Sequence, residues 1–107
     1  MICTTTDSIE GKKVTQYLGV CSGEAVIGAN VFKDMFASVR DVVGGRSGTY
    51  EKVLTEGKNE AMRDMIAQAE ASNANAILGV DLDYEVLGKE NGMMMVVANG
   101  TAVRLAG

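Results

Sequence analysis

The chain has no histidine, no proline and no tryptophan, and only two cysteines, Cys3 and Cys21. Without histidine there is no Ser-His-Asp triad, no Cys-His pair and no HExxH zinc helix. Two cysteines cannot build a four-cysteine zinc site within one chain. Without proline, the breaking of elements falls to the thirteen glycines. No apolar run approaches ~20 residues, so nothing reads as a membrane span. Basic residues are also scarce. Lys+Arg is 10 against Asp+Glu 14, for a net charge of -4, and the basic footprint of a nucleic-acid binder is missing. The first residues, MICTTTDSIEGKK, have no basic stretch leading into an apolar one, so they do not read as a signal peptide. Two thiols in strand-like surroundings fit a reducing cytosol, which is the expected location.

What is present is a single domain over residues 1–107, with 47% hydrophobic residues and a mean hydropathy of +0.08. A domain this small buries only about two-thirds of its unfolded-chain surface. Other subunits are the expected cover for the rest.

Residues 2–6, Ile-Cys-Thr-Thr-Thr, read as a short strand. Glu10-Gly11-Lys12 reads as a turn into a second strand from Val14 through Val20 and on toward Gly28. Simple hairpin pairing then places Cys3 opposite about Gly19, with Cys21 offset near the ~7 Å diagonal limit. The period changes at Val31, Phe32, Met35, Phe36, Val39, Val42 and Val43, a helical stripe after Asn30 and before Gly44-Gly45. A second helix, capped by Ser47 or Thr49, runs to about Asn73 and is roughly 38 Å long. Gly57 within it marks a kink or a close contact, and Asn73 ends it in the left-handed conformation. Ala76 to Leu87 returns to period two. Leu78, Val80, Leu82 and Tyr84 are expected on one face, with Gly79, Asp81, Asp83 and Glu85 on the other. Asn91-Gly92 signals a hairpin into Met93–Ala98, a strand apolar on both faces. The expected fold is α+β, an antiparallel sheet with two helices packed on one face in the order β-β-α-α-β-β.

Three constellations carry possible chemistry. Asp81, Asp83 and Glu85 share a strand face at about 6.6 Å spacing, so two neighbours can converge on one hard divalent metal ion. The run fails as an EF-hand loop, because Val86 and Gly92 stand where Gly and Glu are needed. The bland alternative is a solvated sheet face. Next, Gly44-Gly45-Arg46-Ser47-Gly48-Thr49-Tyr50-Glu51 is a Gly-rich stretch feeding a helix N-terminus, suited to a small anionic ligand, with Arg46 as a bidentate donor. It is not a P-loop, and an ordinary capped turn explains it as well. Last, Met93, Met94 and Met95 with Cys3 and Cys21 offer soft donors. Met94 points away from its neighbours on a strand, and core packing accounts for them more simply.

Several stretches together resemble one family. They include Thr4-Thr5-Thr6, Tyr17-Leu18-Gly19-Val20, Ser22-Gly23-Glu24-Ala25, Gly28-Ala29-Asn30, Asp41 to Gly48 (DVVGGRSG), Tyr50-Glu51 and Gly79 to Tyr84 (GVDLDY). The chain resembles the YbjQ-like family of small bacterial and archaeal proteins, which carries a heavy-metal-binding label. The resemblance covers about residues 2–103. It implies a dodecin-like subunit in a ring-shaped homopentamer, with no established enzymatic activity. Cys3 and Cys21 stand where such proteins usually have aliphatic residues, and Asn73 replaces a usual Gly.

The expected function is a cytoplasmic homo-oligomeric binding or scaffold protein, with a polar site around Arg46, Ser47, Tyr50, Glu51, Asp81 and Asp83. The alternative is a metal-binding protein, with a hard divalent ion at Asp81 and Asp83. Third comes an enzyme, for which no catalytic constellation is visible.

Overall fold

Three long strands and one long helix follow from the two periodicities of the chain. A computed structural model describes residues 1–28, 48–87 and 92–106. Strand β1 is Ile2–Cys3, β2 is Val14–Ile27, helix α1 is Gly48–Ala71, β3 is Ala76–Leu87 and β4 is Met93–Leu105. They form one four-stranded sheet in the order β1-β3-β4-β2. The β3 bounds agree with the sequence reading, and α1 ends close to Asn73 as expected, while of its two expected N-caps Thr49 lies inside the helix and Ser47 lies outside the described residues.

The sheet is mixed, which corrects the expected antiparallel sheet. β1 runs parallel to β3, with Ile2 opposite Ala76 and Cys3 opposite Ile77. β2 and β3 each flank β4 in antiparallel fashion. β1 and β2 therefore occupy opposite edges and make no hairpin. The turn at Glu10-Gly11-Lys12 exists, with Gly11 at φ 78° and the Lys12 N–H donating to the Ile9 carbonyl at 3.1 Å. It lies, however, within a crossing segment. Ile9 on that segment joins Val14 against Ala76, Leu78, Val103 and Leu105. Burying Ile9 there holds the crossing in place, which a two-strand hairpin would not do. Among the described residues there is one helix, giving the order β-β-α-β-β in place of two helices. The stripe Val31–Val43 and its flanking Asn30 and Gly44-Gly45 lie outside the described residues, as does Asn91 of the expected turn.

α1 lies across one face of the sheet. Cys21, Gly23, Ala25 and Ile27 of β2 and Met94, Val96, Ala98 and Ala102 of β4 are buried on that side. The helix meets them through small residues. Gly57 has Val96 and Ile27 against it, so Gly57 marks a close contact. At the C-terminus of α1, Asn73 takes φ 69°. Its N–H donates to the Glu70 carbonyl at 2.9 Å and the Ala74 N–H to the Ala69 carbonyl at 3.1 Å, closing a Schellman motif. The free edge of β2 is partly protected, because the Ser22 N–H donates to Gln68 Oε1 of α1 at 2.6 Å.

A register shift between Leu78 and Asp81, at Gly79 with φ 60°, reverses the facing of β3. Leu78 faces away from the helix with Val103 and Leu105, while Val80 and Leu82 pack under it. Leu78 thus does not share a face with Val80 and Leu82, which corrects the uniform alternation expected over β3.

Candidate functional site

The face of the sheet turned away from α1 has two parts. At one end, the crossing segment covers it through Ile9. Beyond that, the register sets three rows of side chains. Ser22, Asn99 and Asp81 form one row; Glu24, Val97 and Asp83 the next; Val26, Met95 and Glu85 the third. Four carboxylates thus stand on one face, three from β3 and one from β2. Glu24 was not singled out by sequence reasoning, since only the β2–β4–β3 register brings it to the same row as Asp83.

Asp81 and Asp83 come together closely enough for their side chains to share a hydrogen bond. That bond is the main reason the Asp83 carboxyl is held above its ordinary value. The charge of Asp81 adds to it, and slight desolvation and Glu85 contribute less. The pair is exposed and retains one proton more readily than two separate carboxylates would. When both are ionised they repel, and a nearby cation would relieve the repulsion.

The other expected site residues lie elsewhere. Arg46 and Ser47 are outside the described residues. Tyr50 and Glu51 belong to the first turn of α1, where the Glu51 charge complements the helix dipole. α1 covers the opposite side of the sheet from Asp81 and Asp83. Within one subunit, Glu51 and the acid pair are therefore separated by the sheet.

The sulfur atoms occupy the helix side. Cys21 is buried, at 2% exposure, and its Sγ lies 3.6 Å from the Gly100 carbonyl oxygen. Cys3 packs at the margin of the same cluster. Both are free thiols. Burial pushes both upward from their ordinary ionisation, which disfavours the thiolate that binds soft metals. Met94 faces the helix, whereas Met93 and Met95 face the other side. Among the described residues, no group of three or more His, Cys, Asp or Glu side chains is placed to hold a metal ion. No described helix is long and apolar enough to cross a membrane.

The fold is shared with a crystal structure of a protein of unknown function in the DUF74 family, from Pediococcus pentosaceus. The two chains are 17% identical, the match covers 99% of this chain and 98% of that one, and the TM-score is 0.60. The model of the YbjQ family, described as "Putative heavy-metal-binding", matches residues 1–106, and the chain belongs to that family.

Proposed function

We propose that the protein is a homo-oligomeric binding or scaffold protein, assembled as a homopentamer in a reducing cytosol where Cys3 and Cys21 stay free thiols. The observation that carries the assembly is the sheet face away from α1. Val20 is 81% exposed and Val26 58% exposed there, beside half-buried Met95 and Val97. Apolar side chains mixed with carboxylates on an otherwise open sheet face suit contact with further subunits. The number five rests on the family resemblance. Light scattering at micromolar concentration should give about five times the 11.3 kDa subunit mass. A stable single-subunit species would overturn the assembly, and another defined oligomer would overturn only the count. The Gly-rich stretch with Arg46, Ser47, Tyr50 and Glu51, leading into α1, remains the proposed place for a small anionic ligand. With no histidine in the chain, the proposal assigns no catalytic step.

The family label raises a second reading. The sulfur donors do not fit a heavy-metal site well, because Cys21 is buried and Cys3 half-buried, and desolvation raises both thiols above their ordinary ionisation. The hydrogen-bonded pair Asp81–Asp83 favours a hard divalent cation instead, weakly held and completed by water. Calorimetric titration with manganese(II), calcium(II) and zinc(II) tests it. Binding that vanishes in Asp83→Asn supports the pair, and binding unchanged in that variant removes it.

A further inference from the structure

On the helix side of the sheet, beside the edge where β1 meets β3, lies a cavity of about 210 Å³. Its place is set by the parallel pairing of β1, which carries Cys3 and the following Thr4 and Thr5 to the rim. Val80 and Leu82 of β3 form an apolar wall, and Met62 of α1 faces it. An enclosed, wholly apolar cavity of about 150 Å³ is enough to hold benzene, so this more open and partly polar site has room for a body of that size. Among the described residues, the one charged group of the lining is Lys58, one helical turn before Met62.

Lys58 is half-buried and has no carboxylate at helical spacing. Positions three and four away on α1 are Leu54, Thr55, Ala61 and Met62. Among the described residues, no carboxylate lines the cavity either. An ammonium in partly apolar surroundings, with no acidic neighbour among the described lining residues, favours an anion brought in from outside. The same ammonium argues against a soft cation, even though Cys3 and Met62 bring two sulfurs to the cavity. A metal ion would enter against a positive charge, toward a thiol whose surroundings keep its proton.

We propose that this cavity is a binding site for a small monocarboxylate with an apolar body of about ring size. The body rests against Val80, Leu82 and Met62, and the carboxylate accepts a hydrogen bond from Lys58 Nζ. The site is independent of the acid pair, which lies across the sheet, and of the oligomer count.

Benzoate and its neutral isostere benzamide are the probes, titrated into the purified oligomer while the methyl resonances of Met62, Val80 and Leu82 are followed. Benzoate should shift all three saturably and bind at least about tenfold more tightly than benzamide. Lys58→Met should abolish that difference, whereas Lys58→Arg should retain most of it. Val80→Phe, which fills the cavity, should weaken both probes. Equal affinity for the two probes would overturn the proposal, as would shifts confined to other methyls or unchanged benzoate binding in Lys58→Met. Silver(I) binding that depends on Cys3 and Met62, with no benzoate binding, would replace the carboxylate by a soft metal.

Discussion

Asn75 holds the C-terminal end of β4 with both ends of its side-chain amide. The Leu105 N–H donates to Asn75 Oδ1 at 2.7 Å, and Asn75 Nδ2 donates to the Leu105 carbonyl at 3.1 Å. The side chain thus acts as one more ladder rung between the start of β3 and the end of β4. Asn75→Ala leaves a partly buried N–H and carbonyl without partners, and should destabilise the fold by about 2 kcal/mol in urea unfolding. Asn75→Asp keeps the acceptor and loses the donor, so its loss should be smaller. Equal stability of all three proteins would show that the two bonds are worth nothing net.

Gly23 is where α1 comes nearest the sheet. A β-carbon there would run into the Ala61 carbonyl oxygen, the Met65 backbone nitrogen and the Asp64 β-carbon. Two of those three atoms are backbone, so no side-chain rotation relieves the clash. Gly23→Ala should lower stability by about 3 kcal/mol. Gly28→Ala is the control, because no described residue lies within 4 Å of a β-carbon there. Comparable unfolding midpoints for the two variants would contradict the close approach.

The two sides of the sheet should respond differently to charge. Val96 is 0% exposed under α1, and Val96→Asp should unfold the chain, since an unpaired buried carboxylate costs several kcal/mol. Val26, on the other side, is 58% exposed. Val26→Asp should keep the circular dichroism spectrum of the native fold and abolish the proposed oligomer in light scattering. An intact oligomer in Val26→Asp would mean that this part of the face is not an interface.

The Asp81–Asp83 pair makes stability depend on pH in an uncommon direction for carboxylates. The Asp83 carboxyl binds its proton more tightly when folded than when unfolded, because the Asp81 carboxylate accepts a hydrogen bond from it. Its stabilising effect is therefore fully present below the ordinary value near pH 4. It is lost as pH rises through the raised folded value. Asp83→Asn should flatten the melting temperature above about pH 4 and give a small increase at neutral pH, measured at low salt. A lower neutral-pH melting temperature in Asp83→Asn would contradict repulsion within the pair.

Both thiols titrate upward, chiefly through burial, so the folded state holds their protons beyond the ordinary thiol range. Stability should then fall as pH rises above about 8.5. A thiol reagent at neutral pH should modify half-buried Cys3 slowly and leave Cys21 untouched until urea unfolds the chain. Rapid labelling of both in native buffer would show that the helix does not seal Cys21.

The sequence alone determined the elements that depend on local physics. Period-two alternation marked Ala76–Leu87, and Asn73 marked the end of α1. The left-handed turn at Asn73 was legible because few residues other than glycine adopt it as readily as asparagine. Asp81 and Asp83 were legible as a same-face pair, because side chains two apart on a strand share a face. Tertiary structure decided the long-range pairings. A two-residue strand such as Ile2–Cys3 carries no signal for its partner, and its place at the far edge, parallel to β3, rests on long-range backbone hydrogen bonds of Thr4 and Thr6 to β3 and on the packing of Ile9. The reversal of facing at Gly79 depends on one backbone angle that alternation cannot report. The meeting of Glu24 with the Asp83 row needs the β2–β4–β3 register, and that of Lys58 with Cys3 needs both the parallel edge and the lie of the helix. Such contacts join residues far apart in the chain, and their energy comes from packing, which no local pattern of residues encodes.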